Sequence, residues 1–391
     1  MLRFSTAGES HGQAIAAFLS GLPAGLRVDF AYVNRELERR QGGYGRGGRM
    51  KIESDTAQFL SGVRHGQTVG TPITILIENR DWENWKEVLA VEDRPETRAA
   101  SKPLLAPRPG HADLAGCLKH NFHDARYVLE RASARETAAR VALGAVAQLF
   151  LKEFGIEVAS HVVAVGRVAL AEDTVPFERV RVLRERKEMV LNCVDAATEV
   201  RMKAEVDHAL KTGDSVGGTF EVIARGVPPG LGSCAQWDER LDGQLAQAVM
   251  SIPAVKAVEL GSGIDNAATF GSQVHDEIGY DRAASRFMRK SNRAGGLEGG
   301  ITNGEDIVVR AYLKPVATLR QPLASVNLES KETVKAAYER SDVCVVPAAG
   351  VIGEAMVALV LARAFLEKFG GDALPETRRN FETYLEQVRR F

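Results

Sequence analysis

Val351-Ile352-Gly353-Glu354-Ala355-Met356-Val357-Ala358-Leu359-Val360-Leu361-Ala362-Arg363-Ala364-Phe365-Leu366-Glu367-Lys368-Phe369 is rich in alanine, leucine and valine on nearly every side. Its length, and the paired glycines Gly370-Gly371 that stop it, mark a helix rather than a strand. A helix without a polar stripe belongs deep in the core, enclosed by other elements. No apolar run in the chain approaches the roughly 20 residues of a membrane span.

Around this helix the pattern alternates between periods. Strand-like alternation appears at 2–5, 58–63, 72–78, 158–165, 217–227, 257–260 and 306–313. Helical patterns cover 33–38, 131–154, 177–188, 198–210, 238–250, a short piece at 331–338, and an amphipathic C-terminal stretch at 376–390. Periodicity therefore gives mixed α and β structure with central buried helices. No linker, repeat or low-complexity block divides the chain, so one domain over 1–391 is expected, with the charged residues 156–215 as a peripheral lobe.

Composition is that of a globular chain: 45% hydrophobic and 26% charged over 391 residues. Lys and Arg total 50 against 51 acidic residues, a field too weak for a general nucleic-acid binder. Cys117, Cys193, Cys234 and Cys344 form no C-x-x-C pair, which argues against zinc and against a disulfide framework. With no targeting pattern at the N-terminus, a cytoplasmic protein with no membrane contact is expected.

The chemistry is written in loops. Arg39-Arg40-Gln41-Gly42-Gly43-Tyr44-Gly45-Arg46-Gly47-Gly48-Arg49 threads guanidinium groups onto a nearly bare backbone, an arrangement suited to phosphate or carboxylate. Gly8-Glu9-Ser10-His11-Gly12 and Arg108-Pro109-Gly110-His111-Ala112-Asp113 each present a histidine in a glycine-bearing loop, accessible for proton transfer. His111, Asp113, His120 and His123 do not share one helical face, so no metal is expected. Ser133 followed by Glu136 reads as a capping box opening the 131–154 helix, whose N-terminus, flanked by Arg131 and Arg135, suits a phosphate. Gly295 to Gly300 and the Arg340-Ser341-Asp342 loop complete the set.

Taken in order, GESHG (8–12), RRQGGYGRGGRM (39–50), RPGHADLAG (108–116), RASARET (131–137), SIPAVKAVELG (251–261), GGLEGG (295–300) and RSDVC (340–344) make the chain similar to chorismate synthases over essentially its whole length. The resemblance implies an α/β fold of the α+β type, with helices sandwiched between antiparallel sheets, and a homotetramer. It implies a lyase of the shikimate pathway that converts 5-enolpyruvylshikimate 3-phosphate to chorismate by anti 1,4-elimination, requiring reduced FMN without net redox change. By the same resemblance His11 protonates the departing phosphate, His111 sits near the flavin N1 edge, and Asp342 relays the proton lost from substrate C6 through flavin N5. Ser10, Arg40, Arg46, Arg49 and Arg135 would hold the substrate. FMN would contact Arg40, Arg46, Arg131, Ala132, Ser133, Pro253, Ala254, Gly299, Lys314, Pro315, Val316, Ala317, Thr318 and Arg340.

Two departures stand out. The family has an amide where this chain has Pro253, and a Lys-Pro-Thr-Ser/Thr run where it has Lys314-Pro315-Val316-Ala317-Thr318, so two polar cofactor contacts are in question. The competing readings are a bifunctional enzyme that reduces its own flavin with NADPH and an Arg/Gly RNA binder. No G-x-G-x-x-G unit supports the first.

Overall fold

The computed structural model describes residues 1–47, 55–93, 95, 97, 101–186, 189–339 and 341–391. The first half of the chain holds β1 (Arg3–Ala7), β2 (Ala14–Ser20), α1 (Phe30–Gln41), β3 (Gln58–Ser61), β4 (Ile73–Glu78), α2 (Asp113–His120), α3 (Arg126–Ala132), α4 (Thr137–Lys152), β5 (Glu157–Val165) and β6 (Val168–Ala169). The second holds α5 (Phe177–Leu183), α6 (Ala196–Thr212), β7 (Gly218–Arg225), α7 (Leu241–Met250), β8 (Val255–Leu260), β9 (Ile307–Leu313), β10 (Ala324–Val326), β11 (Thr333–Lys335), α8 (Val346–Phe369) and α9 (Leu374–Arg390).

Two antiparallel sheets face each other across helices, as the resemblance implied. One runs β1-β2-β4-β3, the other β8-β9-β7-β5-β6. Helix α4 packs on β2 and β4, α8 packs on β5 and β7, and the two helices pack on each other with α1 against both. The alternation of β4 explains its placement: Ile73, Ile75 and Ile77 are buried while the residues between them are more open.

Helix α8 starts five residues earlier than expected, with Pro347 in its first turn, and its 24 residues are, contrary to the expectation from sequence, long and apolar enough to cross a membrane, but they are buried nearly throughout. Phe365 meets the rings of Phe150, Phe154, Phe369 and Phe381 at 4.4–5.7 Å. Removal of such a ring costs about 3–5 kcal/mol. Gly144 lets α4 and α8 approach closely, since a Cβ there would lie 2.2 Å from the Ala355 Cβ. The helix carries one fully buried carboxylate, Glu354. It accepts from Arg39 at 2.8 Å, Arg184 at 2.7 Å and Ser160 Oγ at 2.7 Å.

Three further expectations are corrected. Residues 156–215 are not peripheral throughout, because β5 lies within the second sheet and buries Val158, Val162 and Val165 in the main core. The strand's own ladder and apolar face outweigh the charged text around it. Residues 331–338 form no helix: Lys331 turns at φ +63° and β11 pairs with β10, Ser325 opposite Val334. The helix expected from 131 is broken at Ser133, whose extended backbone caps only a single turn. There Glu136 pairs with Arg140 at 2.7 Å and Thr6 at 3.2 Å, leaving no capping box.

Candidate active site

The loops between these layers enclose a cavity of about 840 Å³ at the N-terminal end of α8. Its floor is apolar, made by Val345, Ala348, Ala349 and Ile352 of the last connection and first turns of α8. Such a volume lies within the range of small-molecule sites.

Both loop histidines line it, and each is held by a buried carboxylate. His11 Nδ1 lies 3.0 Å from both oxygens of Glu130, which also accepts the His11 main-chain N–H at 2.9 Å. Burial opposes ionisation of Glu130, but the His11 hydrogen bonds and Arg126 outweigh it and hold the carboxyl below the usual range. An ionised carboxylate only accepts, so the Nδ1 proton is committed to Glu130 and exchange with a ligand must run through Nε2. Trp85 stacks on the imidazole at 4.0 Å and 25°. Asn79 ties the loop down by donating to the carbonyls of Ser10 and Gly12 at 3.0 Å.

His111 Nδ1 is 2.5 Å from Asp113 Oδ1, and 3.0 Å from Arg108 Nη2. One nitrogen cannot donate to the carboxylate and accept from the guanidinium at once. The shorter contact with the charged partner decides for donation to Asp113, with both donors gathered on one carboxylate. Arg108 donates to Asp113 from its main chain and side chain at 2.8–3.1 Å and to Thr318 Oγ1 at 2.9 Å. Asp113 is fully buried. Burial raises its carboxyl, yet the His111 and Arg108 hydrogen bonds prevail and hold it well below the usual carboxylate range. Asp113, weighed as a metal ligand on sequence, is a hydrogen-bond acceptor here.

Arg40, Arg46 and Arg135 also line the cavity, sharing two carboxylates. Arg135 Nη1 donates to Asp55 at 2.5 Å and Arg40 Nη1 approaches the same carboxylate at 3.5 Å. Arg46 Nη1 meets Asp342 at 2.9 Å. The guanidinium groups of Arg40, Arg46 and Arg135 are thus gathered on one side of the cavity, each beside a carboxylate that holds it in place. Arg39, in the same tract, is directed to Glu354 and Glu36 in the core.

Asp342 accepts the Gly47 N–H at 2.6 Å, which joins the arginine loop to the connection before α8. Ser10, Ala132, Ser133, Pro253, Ala254, Lys314, Val316, Ala317 and Thr318 reach the cavity. Ala254 sits at φ +73°, a left-handed conformation costly for alanine, and its carbonyl accepts from the Lys314 N–H at 3.0 Å. Lys314 Nζ donates to Gly110 O at 2.5 Å, joining the His111 loop to the 314–318 segment.

Not every expected residue is brought in. Arg131 turns away, donating to Thr6 and Gly8 carbonyls at 2.9 and 3.1 Å. Gly299 lies in the turn between Leu297–Glu298 and Ile301–Thr302, beside Cys234 and off the cavity. Pro315 does not line it, although its neighbours do. Arg49 and Arg340 lie outside the described residues. Sequence reading missed Glu130 and Asp55 as parts of the site, and noted Trp85, Arg108 and Asp113 without giving them the roles they have here. A tryptophan in a polar stretch and an Arg and an Asp flanking a loop histidine were usable signals, whereas nothing near Asp55 points to Arg135, 80 residues away.

The chain is similar to known proteins over its whole length. The family model described as chorismate synthase matches residues 2–366. The chain is 64% identical to the chorismate synthase of Acidobacterium capsulatum over 396 aligned residues and 63% identical to that of Solibacter usitatus over 391, with 100% of each chain covered. A crystal structure of chorismate synthase superposes with TM-score 0.79 at 43% identity, covering 100% of this chain and 99% of that one. With its layered fold, its cavity and these relatives over its full length, the chain belongs to the chorismate synthase family of carbon–oxygen lyases.

Proposed function

We propose that this chain converts 5-enolpyruvylshikimate 3-phosphate to chorismate by anti 1,4-elimination of phosphate, with reduced FMN as cofactor and no net redox change. The observation that carries this reading is the convergence, in one cavity, of two carboxylate-bound histidines with three arginines that share two carboxylates. Acid–base groups beside an anion-holding wall suit loss of a phosphate.

The residues present fit a flavin. The residues Val345, Ala348, Ala349 and Ile352 offer an apolar surface, the Ala132-Ser133-Ala134 turn and the Pro253–Ala254 peptide offer backbone groups, and Lys314 offers a cation. Where the family's polar side chains are missing at Pro253 and Val316-Ala317, these backbone groups take over the contact. Bound reduced FMN supplies electron density to the breaking C–O bond. The chain's own contribution is positional and electrostatic. Arg40, Arg46 and Arg135, with Arg49, hold the substrate's phosphate and carboxylates; Arg340 belongs with the cofactor. His11 delivers a proton to the departing phosphate, Asp342 receives the proton the substrate loses, and His111 governs protonation at the cofactor's edge. Charge clamping in a water-poor cleft lowers the barrier most, because phosphate leaves with developing negative charge. We read the enzyme as a cytoplasmic homotetramer of the shikimate pathway that takes its flavin already reduced.

The test is anaerobic: protein, dithionite-reduced FMN and 5-enolpyruvylshikimate 3-phosphate are mixed, and phosphate release and chorismate absorbance are followed together. Equal appearance of both, absent with oxidised FMN, is expected. No product would overturn the reading, and NADPH oxidation by the pure protein with FMN would overturn the use of externally reduced flavin.

A further inference from the structure

Glu130 is bound to the His11 loop more extensively than an ion pair needs. Both its carboxylate oxygens face Nδ1 at 3.0 Å, one accepts the His11 N–H, and its own main-chain carbonyl accepts the Ser10 N–H at 2.8 Å. Arg126, one turn earlier on α3, reaches Glu130 at 3.3 Å and Glu339 at 2.9 Å, so the carboxylate is itself held in place. On the ring's face, Trp85 is fixed by its indole N–H donating to Asp81 at 3.0 Å. The Arg126 guanidinium and the Lys102 ammonium lie over that indole at 5.3 and 5.1 Å. The carboxylate thus sets the edge of the imidazole and the indole sets its plane.

We propose that Glu130 is a positioning residue for His11, holding the imidazole as the Nδ1–H tautomer against Trp85 so that Nε2 is the atom that exchanges a proton with the leaving group. This rests on the cavity being the site of phosphate elimination. In the step, the electron pair of the breaking C–O bond departs with the phosphate. The proton on Nε2 of the imidazolium passes to a phosphate oxygen, the ring becomes neutral with Nδ1–H still on Glu130, and water restores the Nε2 proton afterwards. A carboxylate at Nδ1 fixes which neutral tautomer the ring returns to.

The test is carried out on the full chain labelled with 15N-histidine, the His11 signals being assigned by their loss in His11→Asn. In the neutral ring, the wild-type protein is expected to show a protonated Nδ1 and a bare Nε2. In Glu130→Gln the Nδ1–H population is expected to fall and kcat to drop about ten- to a hundredfold, with KM within about twofold, because an amide holds the ring less firmly and carries no charge. A purely structural role for Glu130 would change the folded fraction without changing the tautomer. A protonated Nε2 in the neutral wild-type ring, or wild-type kcat in Glu130→Gln, would overturn the proposal. The wild-type spectrum decides by itself should the variant not fold. A wild-type chain with the Nδ1–H tautomer that releases no phosphate would overturn the assigned reaction while leaving the positioning of His11 in place.

Discussion

His111 and Asp113 are joined by a 2.5 Å contact between Nδ1 and Oδ1, and the same carboxylate collects three hydrogen bonds from Arg108. One buried anion therefore sets the tautomer of a cavity histidine and neutralises the arginine that reaches across to Thr318. Asp113→Asn keeps the shape but can present an N–H to Nδ1 and removes the charge facing Arg108. Activity is expected to fall by about a hundredfold or more, through the wrong tautomer, with a lower melting temperature. Turnover within threefold of wild type would remove Asp113 from this role.

Acid should destabilise the protein through these carboxylates. The carboxyls of Asp113, Glu130, Glu221 and Glu354 are all held below their ordinary values: burial opposes ionisation in each, but hydrogen-bonded or charged partners outweigh it. For such groups the unfolded chain takes up protons first as pH falls, so the stability they contribute is present above about pH 4–5 and lost below it. Urea midpoints are expected to be level from pH 7 to 5 and to drop steeply toward pH 3. The drop should be shallower in Asp113→Asn, and a midpoint independent of pH would contradict the sign.

How much of this was legible beforehand differs by level. Helix α8 was readable because its apolar text has one physical solution, enclosure, and enclosure required layers on both sides. The strands 58–61 and 73–78 followed from alternation. The 331–338 stretch misled because its composition favours a helix, while pairing with residues 324–326 prevails in the folded chain. His11 and His111 drew notice as histidines among glycines, and Asp342 as a carboxylate beside an arginine in a loop. The partner of His11 did not, because Glu130 sits 119 residues away and reads locally as one more helical glutamate. The arginine tract was readable as cationic but not as divided, with Arg39 turned to the core and Arg40 to the cavity.

Asp342 also fastens the arginine loop. It accepts the Gly47 N–H at 2.6 Å and pairs with Arg46 at 2.9 Å, and a Cβ on Gly47 would come within 3.0 Å of the Ser341 carbonyl. Asp342→Ala should therefore lower kcat and loosen the 42–47 loop together, whereas Asp342→Asn should lower kcat while its amide oxygen still accepts from Gly47. Limited proteolysis at Arg46 distinguishes them: faster cleavage is expected in Asp342→Ala only. Equal cleavage of both variants and wild type would show that the loop is held elsewhere.

Glu354 tests how the core tolerates charge. It is fully buried on a helix otherwise almost wholly apolar, and its two oxygens accept from Arg39, Arg184 and Ser160. Glu36 accepts from Arg39 Nη1 at 2.6 Å and from Arg184 Nη2 at 2.7 Å. Glu354→Gln removes one charge and leaves two buried guanidinium groups facing a single carboxylate. Breaking a buried pair from one side costs about 3–5 kcal/mol, because the partner's charge stays desolvated. The neighbouring cavity of about 760 Å³, lined by Tyr32, Arg39 and Arg184, decides where in that range the loss falls. Water admitted from it would partly solvate the orphaned guanidinium groups, so a loss near 3 kcal/mol means a hydrated network and one near 5 a dry one. Urea unfolding of the full chain at pH 7 measures it. A loss below about 1 kcal/mol would mean that Glu354 binds its arginines no more firmly than a surface ion pair does.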